Sequence, residues 1–91
     1  MMRVLFSPQR DDRKINYTFG QDIITAELDG KTDTFDFSQM PDGEMVEVET
    51  TLPINPIISA RRVDGVLEVI LLNFIGPDAT ENEKYPDWVE V

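Results

Sequence analysis

Apolar side chains recur at every second position along most of this 91-residue chain, and turn residues separate the alternating stretches. Ile15, Tyr17 and Phe19, for example, alternate with Asn16 and Thr18. A strand points successive side chains to opposite faces, so a period of two predicts strands with one buried face. The pattern is typical of an all-β fold, and we expect a small antiparallel barrel or sandwich of about six to seven strands.

The alternating or continuously apolar stretches define the predicted strands. They lie at residues 3–6, 15–19, 23–28, 32–37, 45–50, 57–63 and 66–74. The first strand is expected to end at Ser7-Pro8, because proline has no N–H to donate to a sheet. From Val69 onward both faces of the last strand are apolar, so we expect that strand to be central and covered on two sides.

Two dipeptides predict tight hairpins. Asp29-Gly30 and Asp64-Gly65 each stand between two predicted strands, and two-residue hairpin turns need residues that accept a positive φ. Two prolines within residues 53–56 favour an extended segment instead, which we interpret as a link between two sheets or between two halves of one.

The chain is expected to form one domain, residues 1–91, whose last part is a distinct segment at 76–91. Thr80 and Glu83 stand at capping-box spacing, which predicts a short helical turn before Tyr85-Pro86. The final residues alternate again and include Trp88, the sole tryptophan. The segment is interpreted either as a strap that closes the core or as an exposed arm that docks on another protein.

Composition removes several kinds of chemistry. The chain has no cysteine and no histidine, which excludes disulfides, thiolate metal sites and histidine-based catalytic triads. Its formal net charge is −10, so nucleic acid and anionic membranes should repel it. The first fourteen residues are the one basic stretch, with Arg3, Arg10, Arg13 and Lys14, and are interpreted as a solvated, locally compensated surface.

No catalytic, cofactor-binding or metal-binding residues are predicted, and we expect the protein not to be an enzyme. Asp29, Asp33 and Asp36 lack the spacing of a calcium loop. The acidic residues of the stretch 44–49 are the ordinary composition of a solvated strand face, which leaves a carboxylate hydrolase as a minor alternative. The glycines are placed singly at turns and do not form a phosphate-binding loop.

Three aromatic residues near the end of the chain are the candidate partner-binding residues: Phe74, Tyr85 and Trp88. They are interleaved with Pro77 and Pro86 in a region of low helix and strand propensity. Large aromatic side chains beside prolines are common anchors in protein interfaces. The other aromatic residues are interpreted as core, because acidic surroundings disfavour a base-stacking role.

A resemblance to a known family rests on TDTFDFS at residues 32–38, LPINPI at 52–57, LNFIGPDAT at 72–80 and the closing YPDWVEV. In these stretches the chain resembles small uncharacterised prophage proteins of Gram-positive bacteria, typically encoded among tail or tail-fibre genes. The resemblance extends over nearly the full length. It implies a role in building, chaperoning or decorating a phage tail, and it transfers no functional residue.

Two functional hypotheses follow. The first is a non-enzymatic protein-binding or assembly module, associated with a phage tail, that contacts a protein partner or further copies of itself. The second is an acidic inhibitor that imitates DNA and competes for a basic groove of a host enzyme. Either protein would act in the bacterial cytoplasm or, for the first, in the virion.

Overall fold

The computed structural model describes residues 2–44 and 48–91, which form an all-β fold with one short helix. In chain order the elements are β1 (Met2–Arg10), β2 (Ile15–Phe19), β3 (Ile23–Leu28), β4 (Lys31–Asp36), β5 (Gly43–Glu44), β6 (Ile57–Val63), β7 (Val66–Ile75), α1 (Glu81–Lys84) and β8 (Val89–Glu90). The predicted fold class is confirmed as a small sandwich.

Two separate sheets make up the sandwich, so the described part of the chain is not a closed barrel. One sheet has five strands in the order β5-β6-β7-β1-β8, and the other is the antiparallel meander β2-β3-β4. A single cluster of apolar side chains from both sheets fills the space between them. Its fully buried members include Val4, Ile24, Ala26, Leu28, Leu67, Val69 and Leu71.

Both predicted hairpins are present, and their turns have the expected backbone. Asp29 and Gly30 have φ of 51° and 77°, and Asp64 and Gly65 have φ of 50° and 80°. Positive φ at both central positions reverses the chain with the twist that adjoining strands need. The second hairpin places β7 between β6 and β1, which confirms that it is a central strand.

The first strand differs from the prediction in length and in direction of pairing. β1 continues through Ser7-Pro8 to Arg10, and it lies parallel to β7 with Met2 opposite Leu67 and Arg10 opposite Ile75. Every other pair of neighbouring strands is antiparallel in the ranges 2–44 and 48–91. The expectation of a purely antiparallel fold is therefore corrected at this one pair.

Proline is tolerated in β1 because of the side to which its nitrogen points. The backbone N–H of Val91 donates to the carbonyl of Met2, at 3.0 Å, so even-numbered residues of β1 direct their backbone groups away from β7. Pro8 is one of these residues. Its missing N–H therefore lies at the sheet edge, where no ladder bond is lost.

The strand predicted at residues 45–50 is not found in the residues that can be compared. β5 is described at Gly43–Glu44, residues 48–50 have no strand, and 45–47 lie outside the described residues. Residues 53–56, predicted to be extended, contain bends at 53 and 54 and lie in the connection from β5 to β6, two neighbours in the same sheet. The connection is anchored by buried Leu52 and Pro56.

Asp33 ties this connection to the other sheet. Its carboxylate accepts hydrogen bonds from the Thr50 hydroxyl at 2.8 Å and the Thr51 N–H at 2.9 Å. The hydrogen bonds from Thr51 and Thr50 lower the pKa of Asp33, because they stabilise its charged form.

Candidate protein-binding surface at the C-terminal segment

The end of the chain lies along β1. β8 pairs with β1 through Arg3 opposite Glu90 and Val4 opposite Val89. The half-buried Trp88 ring lies under Arg3, whose guanidinium carbon is 5.4 Å from the ring centroid. A cation over an aromatic face is an attractive contact that adds to the backbone pairing.

Beyond Val4 the end segment leaves β1: the pairing ends at Val89, and residues 85–88 are not in a strand. The short helix α1 precedes these residues and is begun by the predicted capping box. Glu83 N–H donates to the Thr80 hydroxyl at 3.3 Å, and Thr80 N–H donates to the Glu83 carboxylate at 3.2 Å. Among the residues that the structure describes, none pairs with this edge of β1 from Phe6 onward.

A groove of about 370 Å³ lies where the end segment and β1 separate, and we call it the C-terminal groove. It is lined by Phe6, Asn82, Tyr85, Pro86, Asp87 and Val89. Tyr85 is 79% exposed and Val89 is 44% exposed. Five large apolar side chains are exposed in the described part of the chain. Three of them, Tyr85, Val89 and Val91, belong to residues 85–91. Exposed large apolar side chains of the described residues are therefore concentrated in the end segment, and two of them, Tyr85 and Val89, line the groove.

Aromatic packing supports the floor of the groove. The ring centroid of Phe6 is 6.0 Å from that of Tyr17, and Tyr17 is 6.2 Å from Phe19. The Tyr17 hydroxyl donates to the carbonyl of Leu72 in the opposite sheet. Burial raises the pKa of Tyr17 well above its ordinary value, because the ionised ring would lose its hydration.

The structure places the three predicted partner-binding residues in different environments. Tyr85 lines the C-terminal groove and is free to contact a partner. Trp88 follows the groove residue Asp87, is half-buried and packs against Arg3 of β1. Phe74 belongs to the core, is 6% exposed and lies beneath the Arg13 guanidinium at 5.1 Å. We therefore remove Phe74 from the candidate surface, because its ring is already enclosed by this chain.

The register of the five-stranded sheet produces a row of alternating charge that the linear sequence does not reveal. Directly opposed positions in neighbouring strands hold, in spatial order, Arg61, Glu68, Arg3 and Glu90. Glu68 accepts from Arg3 at 2.7 Å and from Arg61 at 2.7 Å. Its side chain is only 10% exposed, so one central carboxylate is flanked by two arginines. Arg3 in turn holds Trp88 in place.

Arg62 is a second polar centre that sequence reasoning missed. Its side chain is 11% exposed and donates to the carbonyls of Phe37 at 2.7 Å and Met40 at 2.8 Å, and to the Asp22 carboxylate at 3.2 Å. These acceptors belong to the connections around the three-stranded sheet, whereas Arg62 belongs to the five-stranded one. The guanidinium already donates to these three acceptors, so we assign Arg62 the role of holding the two sheets together.

A more polar hollow of about 440 Å³ lies beside the ends of β1 and β7. Its lining residues are Arg10, Asp11, Asp12, Ile75, Gly76 and Pro77. The Asp11 carboxylate accepts two hydrogen bonds from the Arg13 guanidinium, at 2.8 and 3.0 Å. These hydrogen bonds lower the pKa of Asp11 to about 2. The hollow has no exposed large apolar side chain among its lining residues, so we do not select it as the candidate surface.

Other kinds of site find no support in residues 2–44 and 48–91. Those residues contain no cluster of three or more acidic side chains placed to hold a metal ion. Among the helices of the same ranges, none has the length and apolarity needed to cross a membrane.

Comparison with known proteins gives no assignment: no family model matches the chain, and no curated protein or solved structure is significantly similar to it.

Proposed function

We propose that this protein is a non-enzymatic protein-binding or assembly module that contacts its partner through the C-terminal groove. The observation that carries the proposal is the 79% exposure of Tyr85 in a groove also lined by Phe6 and Val89. A large aromatic side chain that is left in water beside other apolar groups is typical of a protein interface. The resemblance to prophage proteins suggests that the partner is a component of a phage tail.

Packing of the surrounding residues supports this role. The groove lies between β1 and the end segment. β1 is held by nine paired positions on β7, and the end segment is held by the pairing of β8 with β1 and by the contact of Trp88 with Arg3. A rigid surface loses little conformational entropy when a partner binds. The wider surface around Tyr85 is therefore suited to recognition without a large rearrangement.

The DNA-mimic hypothesis predicts a continuous array of free carboxylates, whereas five of the acids in residues 2–44 and 48–91 are held by neighbouring groups. Asp11, Asp22 and Glu68 are paired with arginines. The side chains of Asp33 and Asp36 accept bonds from nearby backbone N–H groups. Carboxylates occupied in this way are less available to a basic groove, which favours the assembly module.

The test places a photo-crosslinking p-benzoylphenylalanine at position 85 of the full chain, produced in a Gram-positive host that carries tail genes. We expect a protein adduct after irradiation, suppressed by excess unlabelled wild-type chain but not by excess Tyr85→Ser chain. The control places the same group at Glu27, which is exposed on the outer face of the three-stranded sheet.

Adducts of equal yield from positions 85 and 27, or the absence of any adduct at 85, would overturn the proposal. An adduct with a host nucleic-acid-binding enzyme that is lost at high salt would favour the DNA mimic instead, because screening weakens charge-driven contacts.

A further inference from the structure

The C-terminal groove combines an apolar floor, an open backbone edge and an acidic surrounding, and together these features specify a class of partner. We propose that it binds a short, extended and basic segment of a partner protein, with one or two apolar side chains inserted into the groove. The inference rests on the proposed function and adds the chemistry of the partner.

The apolar part of the site is large enough for side chains but not for a folded element. Its volume of about 370 Å³ is enclosed by Phe6, Tyr85, Pro86 and Val89 together with two polar residues. Small-molecule pockets have volumes of about 300 to 1,000 Å³, so a groove near the lower end of this range can take side chains but not a folded element. The partner therefore contributes a segment rather than a flat face.

The open backbone of β1 determines the conformation of that segment. Phe6 directs its N–H and C=O to the same side as Met2, and no backbone partner for them is present in residues 2–44 and 48–91. A partner strand can pair there and continue the line of β8. Pro8 removes the next donor along the edge, so the added strand is short.

Charge determines the composition of the segment. Residues 78–91 contain five acidic side chains against the single base Lys84. They are Asp78, Glu81, Glu83, Asp87 and Glu90, and none of the ion pairs between described residues involves them. Lysine or arginine beside the inserted apolar residue complements this surrounding, whereas nucleic acid or a second copy of the chain brings like charge.

The test selects ligands from a displayed library of random peptides, each about ten residues long to match one strand, using the immobilised full chain. We expect enriched peptides to carry lysine or arginine next to an aromatic or branched apolar residue, and to lose binding to the Tyr85→Ser variant. Because Tyr85 is 79% exposed, this variant is expected to keep the wild-type fluorescence of Trp88.

Charge variants test the electrostatic part separately. Asp87→Asn and Glu81→Gln are each expected to weaken an enriched peptide by about twofold to fivefold at low salt. The matched controls are Asp36→Asn and Glu27→Gln, which make the same changes on exposed residues of the three-stranded sheet and should leave binding unchanged. Asp36, like Asp87, accepts a bond from a nearby backbone N–H.

Several results would overturn the inference: enrichment of neutral or acidic peptides, equal binding to Tyr85→Ser, equal effects of the control variants, or no enrichment. A dimer of the free chain that is lost in Tyr85→Ser would assign the groove to a second copy and would also overturn it. If adducts at position 85 persist while the basic preference is absent, the partner chemistry is wrong but the proposed function stands.

Discussion

At the scale of single residues, the two sheets are joined by side chains that bond to distant backbone. Arg62 reaches carbonyls more than twenty positions earlier in the chain, and Tyr17 bonds to Leu72. Both residues look ordinary in the sequence, since an arginine at a strand end and a tyrosine in an alternating strand are common. Their roles depend on which residues the fold brings opposite them, and no local pattern carries that information.

Arg62→Ala is expected to lower the free energy of unfolding by about 3 kcal/mol, because it leaves the Asp22 carboxylate and the Met40 carbonyl without their donor in a mostly buried place. Urea denaturation followed by Trp88 fluorescence would measure the change. Arg61→Ala is the matched control: its side chain is 49% exposed, and a loss of about 1 kcal/mol or less is expected. Equal losses for the two variants would contradict the assigned role of Arg62.

Tyr17 should make the fold sensitive to alkaline pH. The pKa of Tyr17 is raised by burial in the folded chain, so the unfolded chain loses this proton first as the pH increases. Folding stability is therefore unaffected below the ordinary tyrosine pKa of about 10 and falls above it.

The variant Tyr17→Phe removes this proton together with the bond to Leu72. We expect it to be about 1 kcal/mol less stable at neutral pH, and to show a smaller loss of stability between neutral and alkaline pH. Denaturant titrations at several pH values would check both effects. An alkaline loss as large as that of the wild type would show that Tyr17 is not its source.

At the scale of elements, how far the sequence predicts the structure depends on distance along the chain. The two hairpins and the capping box at Thr80 are each specified by neighbouring residues, and all were predicted correctly. The parallel pairing of β1 with β7 was not, because it joins residues 65 positions apart. Tyr85 was identified by its composition and neighbours, whereas Phe6 became part of the groove only through this long-range pairing.

The turn of the second hairpin offers a test of this local specification. Gly65 has φ of +80°, and a Cβ at this position would meet nothing within 4 Å, so its requirement is one of backbone conformation alone. Gly65→Ala is expected to cost about 1 kcal/mol in thermal or urea unfolding. Gly76→Ala, which also meets open space but has no positive φ, should be neutral or slightly stabilising. A reversed order would contradict the assigned turn.

At the scale of the whole molecule, charge is the dominant property. The net charge is −10, because acidic residues outnumber basic ones by 18 to 8. Four ion pairs between described residues pair some of these charges, and the excess of acids remains. Self-repulsion of this kind opposes the compact state and disfavours contact between identical copies.

Salt should therefore stabilise the folded protein at neutral pH. We expect the thermal midpoint to rise as sodium chloride increases from about 0.01 M to 1 M, because the Debye length falls from about 30 Å to 3 Å and repulsion is screened. The control is the same titration near the isoelectric point of about 4.1, where net repulsion is absent and the rise should disappear. A midpoint that falls with salt at neutral pH would show that the ion pairs outweigh the net charge.

The parallel pairing of β1 with β7 also governs the order in which the fold can be completed during synthesis. Among the described strands, β1 is synthesised before the others, and its partner β7 is synthesised after all of the rest except β8. The strands of the meander β2-β3-β4 pair with their neighbours in sequence and can pair early, but the apolar face of the meander has no opposite sheet until β7 is made. Contacts of such sequence separation slow folding and leave strand edges exposed meanwhile. A proline at the outer edge of β1 therefore protects the nascent chain at the stage when that strand is most vulnerable to aggregation.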